Sequence, residues 1–249
     1  LSPQTLHLSI SNVDNYRAED IQDVPELAKS KYPLIPESFP LRHVSNSHHF
    51  CINHACSRDL GNFDITDPFQ FSEAECLSRR QAIQMTQAIR EFGKGDVKNS
   101  EICGTSPQIG VRETRRVKGG HILTEEDAIN GRKFDDVIAW RSGFLDIGFV
   151  RVTPMKIHQV PYRSIVPNKV EGLLMAGRCI SSTHEGANAG KSMGNCFATG
   201  HAAGIAASLS CQENKMPREL DVRKIQQILK ADNVDLTKGG EEQDRKMDN

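Results

Sequence analysis

Pro161-Tyr-Arg-Ser-Ile-Val-Pro167, then Gly172-Leu-Leu-Met-Ala-Gly-Arg-Cys-Ile-Ser181, then a run dense in Gly, Ala and Ser, is the stretch on which the fold turns. Residues 172–176 form a short apolar run closed by Gly177, the pattern of a buried strand that delivers the chain to a sharp turn. After the polar loop 181–188, Gly190, Gly194, Ala198, Ala202 and Ala206 recur every four residues, with Gly200 and Gly204 beside them. That spacing predicts a helix over 191–209 with one flank stripped of side chains, against which a backbone or a flat group can lie. A strand, a turn and a helix N-terminus facing a ligand is a common way to hold an anionic or electron-rich group.

Four further segments stand upstream in a fixed order. They are Leu1-Ser-Pro-Gln-Thr-Leu6 through Asn12-Val-Asp14, Pro107-Gln-Ile-Gly-Val-Arg-Glu-Thr-Arg-Arg116, Leu123-Thr-Glu-Glu-Asp127 and Gly131-Arg-Lys-Phe-Asp-Asp136. Together with residues 161–204 they resemble the FAD-dependent oxidoreductase family, related to fumarate reductases and L-aspartate oxidases. The resemblance implies an FAD cofactor and hydride transfer between it and a small organic substrate. It also implies an α+β architecture: a substrate-type domain over 1–158, then a strand–helix return segment over 159–210 that completes an FAD-binding α/β domain. A helical segment over 211–236 and a disordered polar tail over 237–249 would follow. In such enzymes the dinucleotide fingerprint lies upstream. No Gly-x-Gly-x-x-Gly occurs here and residue 1 is Leu, so the expectation is a C-terminal part whose N-terminal FAD-binding portion lies outside these residues. The competing expectation is a non-catalytic or truncated fragment that acts as an interaction module.

Composition fits a soluble globule. With 31 basic and 32 acidic residues the net charge is −1, which gives neither the basic surplus of a nucleic-acid binder nor an acidic solvating tail. Lys191, Asn195 and His201 interrupt the best membrane-span candidate. Seven cysteines at irregular spacing, without Cys-x-x-Cys, argue for a reducing, cytoplasmic setting and against a disulfide framework or a local iron–sulfur loop.

Residues 5–10 and 49–56 read as strands, and residues 108–117 as a third extended segment. Ser72-Glu-Ala-Glu75 fits a capping box opening a helix over 73–91, closed by Gly93. Thr124-Glu-Glu-Asp127 starts a second helix, and Asp221 caps a last one at 222–229.

The candidate site residues follow from these placements. On a strand, Arg112 and Arg116 share one face, so the pair can clamp a carboxylate or polarise a carbonyl; the alternative is ion pairing with Glu113, Asp135 or Asp136. His184, beside Glu185 in the loop before the helix, can act as a base or simply cap the helix. These three are the candidate catalytic residues. The resemblance assigns cofactor contacts to Gly177, Arg178, Lys191, Ser192 and Met193, the last three through backbone N–H groups at the helix N-terminus. Arg178 has an alternative as a surface partner of Glu171 or Glu185. Gly186-Ala-Asn-Ala-Gly190-Lys191-Ser192 is one residue too short between its glycines for a phosphate loop. His48, His49, Cys51, His54 and Cys56 fall on both faces of a strand, which disfavours metal binding.

Overall fold

A computed structural model describes residues 4–38, 41–43, 48–56, 60–141, 144–146, 152–188 and 192–237. The chain divides into two compact units, Leu1–Thr114 and Arg115–Asn249. The expected boundary at 158 falls inside the second unit.

The first unit is built on an antiparallel sheet in the order β2-β3-β1-β4, formed by β1 (Thr5–Ser11), β2 (Arg42–His43), β3 (Phe50–Cys56) and β4 (Glu101–Thr105). Alternation in β1 decides its register: Leu6, Leu8 and Ile10 are fully buried, while His7 faces water. Leu8 stands opposite Ile52 and Ile10 opposite Phe50. Their apolar face is covered by α2 (Pro68–Phe92), which contributes Ala74, Ala82, Met85, Ala88 and Ile89 to the same core. A short helix, α1 (Val24–Ala28), adds Val24 and Ala28.

Helix α2 starts earlier than its capping-box motif predicts. Asp67 is the N-cap, accepting from the Phe69 amide at 3.0 Å, and Pro68 occupies the first turn. Ser72 lies inside the helix, where its hydroxyl donates to the Pro68 carbonyl at 2.7 Å. Glu75 likewise serves tertiary structure, accepting from Arg79 and from the Ile109 amide at 2.8 Å. Gly93 ends the helix as expected, because a Cβ there would lie 2.4 Å from the Ile89 carbonyl oxygen.

Residues 108–117 do not form the expected strand. Among the described residues their only ladder feature is an isolated bridge between Gly110 and Thr5. The segment 105–109 is fastened instead by Arg79, which donates to Thr105 and to the carbonyls of Ser106 and Pro107, and by Glu75.

The second unit pairs β5 (Val137–Arg141) with β8 (His158–Pro161), and β6 (Phe144–Asp146) with β7 (Val152–Pro154), both antiparallel. Helix α5 (Met193–Glu213) packs on β5, and α6 (Val222–Ala231) packs on both. Their core is Ile138, Ala139, Val160, Ile165, Ile180, Ala202, Ala206, Ile225 and Leu229. Helix α3 (Glu125–Asn130) has the full capping box read from Thr124 and Asp127, and Gly131 closes it at φ +65°. Asp221 caps α6, accepting from the Arg223 amide.

Residues 172–176 are not a strand. A turn at 171–172 leads into irregular chain whose Met175 amide donates to the Ile165 carbonyl at 2.8 Å. A strand needs a row of backbone partners, and one bond does not make a ladder. Leu174 packs on the second core, whereas Leu173 remains 40% exposed. Helix α5 begins at Met193 rather than 191, and the preceding loop contains a short helix, α4 (His184–Asn188). The polar tail from 238 and Lys191 lie outside the described residues.

Among the described residues no helix is long and apolar enough to cross a membrane, and no group of three or more metal-ligating side chains could hold a metal ion. His48, two residues before β3, pairs with Asp14.

Candidate functional site

The arginines of residues 112–116 do not share a strand face, because the segment is irregular and Arg112 and Arg116 belong to different compact units. Arg112 is half-buried in the first, its amide donating to Oε1 of Gln4 at 3.2 Å. Arg116 is half-buried in the second, and its Nε donates to the Ser182 carbonyl at 2.9 Å. Burial pushes the Arg116 guanidinium below its ordinary value, while the charge of Glu185 works in the other direction. Arg116 therefore fastens the loop that leads to His184, the first residue of α4.

That loop is anchored from a second side. Leu123 bridges Ser182 in parallel, its amide donating to Ser181 and its carbonyl accepting from Thr183. Gly186 comes so close that a Cβ would lie 2.1 Å from the Leu123 oxygen, so only glycine fits there. Glu185 stays well ionised, held below the usual carboxylate range first by a backbone N–H of its own residue, then by the Thr183 hydroxyl and by His184 and Arg116.

Gly177 is also required by its backbone. It sits at φ +72°, and a Cβ would meet the Cys196 sulfur at 3.3 Å. Arg178 is exposed, and its proposed partner Glu171 pairs with Arg218 at 2.9 Å instead.

The stripe of small residues on α5 has a different use from the one its spacing suggests. Ala202 and Ala206 are fully buried and, with Ala198, let the helix press on its own core. The open flank runs through Met193, Phe197, Gly200 and Gly204, spaced at four, three and four residues and so on one face. Met193 and Phe197 are 78% and 77% exposed. A Cβ built on Gly194, Gly200 or Gly204 meets nothing within 4 Å. Ser192 is the N-cap but caps no amide through its side chain; its hydroxyl accepts from Asn195 at 3.0 Å. The first-turn N–H groups of this 21-residue helix consequently carry the positive end of its dipole without a cap from the Ser192 side chain.

Sequence reasoning missed Arg141. It ends β5 on the same side as Ala139, yet it is only 3% exposed. Its Nη1 donates to the Gly186 carbonyl at 3.4 Å, and among the described residues Nε has no partner. Burial pushes the guanidinium down to about 10, with Cys196 in the first turn of α5 working in the other direction. It is thus still a cation at neutral pH. An interior charge left unpaired costs several kcal/mol. The one visible signal is a charge closing the otherwise apolar run Val137-Ile-Ala-Trp140.

The fit to a flavin can be judged from these features. An apolar flank, glycines that leave it open, a helix N-terminus without a side-chain cap from Ser192 and a buried cation tied to α4 match a planar, electron-accepting ring. Searches among curated proteins and solved structures returned no match to this chain. The model of the family described as FAD dependent oxidoreductase matches residues 5–229. The chain belongs to the FAD-dependent oxidoreductase family, enzymes that use FAD as cofactor.

Proposed function

We propose that this chain forms the part of a flavoenzyme that closes on the redox ring of FAD, in a branch related to fumarate reductases and L-aspartate oxidases. Residues 159–210 serve as the return segment, and a dinucleotide-binding portion outside these residues holds the rest of the cofactor. The observation that carries this reading is the open flank of α5, where Met193 and Phe197 stand beside a helix N-terminus without a side-chain cap from Ser192.

When bound, FAD supplies the two-electron redox step. The residues of this chain do the rest. Met193 and Phe197 exclude water from one side of the site, while the amides at the start of α5, with Lys191 and Ser192, offer donors to an anionic edge. Arg178 reaches polar oxygens of the cofactor from the turn that Gly177 makes. Arg116 holds the carboxylate or carbonyl of a small-molecule substrate, with Arg112 a separate candidate for that role, and His184 moves the accompanying proton.

The test is the flavin content of the protein prepared from its complete coding sequence. It should purify yellow with FAD bound. Phe197→Asp, at a surface position that leaves the core untouched, should weaken FAD retention at least ~10-fold by placing a charge against the ring. Colourless wild type, or a Phe197→Asp variant that keeps its flavin like wild type, would sink the reading.

A further inference from the structure

We infer that Arg141 is a positioning residue, the buried countercharge for the isoalloxazine of FAD when that ring carries negative charge. The inference rests on the proposed flavin site at the start of α5.

Its support is independent of the helix terminus. Arg132, Arg163 and Arg218 of the same unit each meet a carboxylate, on Asp127, Asp136 and Glu171. Arg141, more buried than these, meets none among the described residues. Its surroundings are Gly186 in α4, Cys196 in the first turn of α5, and His158 opposite it across the β5–β8 pair. None of these is a carboxylate that would explain a cation there. A fixed charge inside a low-dielectric interior acts on a developing negative charge much more strongly than one in water, and it needs no reorganisation when that charge appears. The bond to Gly186 ties the guanidinium to α4 instead of letting it swing to solvent. Arg141 therefore acts through that helix, and direct contact with the ring is not required.

Sulfite is the probe, because its adduct leaves negative charge on the pyrimidine edge of the flavin and bleaches the visible absorbance without any turnover. The holoprotein is compared as wild type, Arg141→Met, Arg141→Gln and Arg141→Lys, with FAD content and melting temperature recorded for each. Arg141→Gln keeps a donor for the Gly186 carbonyl while losing the charge. Both neutral variants should retain FAD yet bind sulfite at least ~10-fold more weakly, with a lowered flavin reduction potential against a reference dye. Arg141→Lys should stay within about threefold of wild type, since it keeps the charge and loses only the planar fork. Neutral variants that retain FAD and bind sulfite like wild type would overturn the inference while leaving the flavin site standing. Neutral variants that both fail to fold would make Arg141 a structural residue and overturn it equally. A wild-type protein without FAD would remove the flavin site and this inference together.

Discussion

The amide of Gly177 donates to Oγ1 of Thr199 at 2.9 Å, and the same hydroxyl donates to the Asn195 carbonyl at 2.7 Å. One buried side chain thus couples the turn at 177–179 to the first two turns of α5. Because Gly177 sits in the left-handed region, Gly177→Ala combines backbone strain with pressure on Cys196 and should cost about 1–2 kcal/mol. Thr199→Val keeps the shape but strands the Gly177 amide, at roughly 1–3 kcal/mol. Urea unfolding with unchanged m-values would show both losses; a neutral Thr199→Val would mean that the turn is held by packing alone.

Asp127 gathers the region around α3. Its carboxylate, 2% exposed, accepts from the Thr124 amide at 3.1 Å, from His121 Nε2 at 2.9 Å and from Arg132 Nη1 at 2.9 Å. Burial alone would raise its pKa, but the bonds from His121, Thr124 and Arg132 together hold it below the usual carboxylate value. Asp127→Asn should cost on the order of 3 kcal/mol, as expected for one partner removed from a buried charged network. Thr124→Ala should cost only ~1 kcal/mol, the worth of an N-cap. Thermal melting of the two variants should rank them in that order.

Cap residues and periodicity made several elements legible in the sequence. Thr124 with Asp127, Asp221, Gly93 and the alternation of Leu6, Leu8 and Ile10 are local signals, and the structure uses each of them. Where reading failed, the deciding partner lay outside the local motif. Ser72-x-x-Glu75 has capping-box chemistry, but Asp67-Pro68 outcompetes it and Glu75 is taken by Arg79 and Ile109. Residues 172–176 and 108–117 have the composition of strands, yet composition cannot show whether a backbone partner stands beside them. The fourfold Gly/Ala spacing on α5 marked a close contact correctly, but that contact is with β5, so the open face belongs to Met193 and Phe197. Arg141 looks like an ordinary strand-end charge until α4 and α5 close over it.

His158 makes stability depend on pH. It is 1% exposed, and burial pushes its pKa down to about 4, with the Lys156 carbonyl working against that shift and Arg141 adding to it. The unfolded chain binds this proton near pH 6.5, whereas the folded chain resists it until about pH 4. Stability is therefore complete above pH 6.5 and lost as the pH falls between these values, by roughly 3 kcal/mol at most. Denaturation midpoints followed from pH 7 to 4 should decline, and His158→Gln should flatten that decline. An equally steep decline in His158→Gln would place the proton uptake on other groups.

Arg112 and Arg116 can be separated by what each does in the fold. Arg116 fastens the loop before His184 through Ser182, and the Arg112 amide donates to Gln4. If both guanidinium groups bind or polarise the substrate, Arg112→Leu and Arg116→Leu should each slow reduction of bound FAD by its substrate at least ~100-fold, the scale of one lost electrostatic or acid–base group. Arg116→Leu should in addition lower the melting temperature, because the Ser182 carbonyl loses its charged donor. The measurement is stopped-flow bleaching of the flavin, with FAD content checked beforehand so that a slow variant is not merely an empty one. Normal bleaching in Arg112→Leu would leave that residue a structural role only. Normal bleaching in a destabilised Arg116→Leu would make Arg116 the fastener of the loop and leave the chemistry to His184.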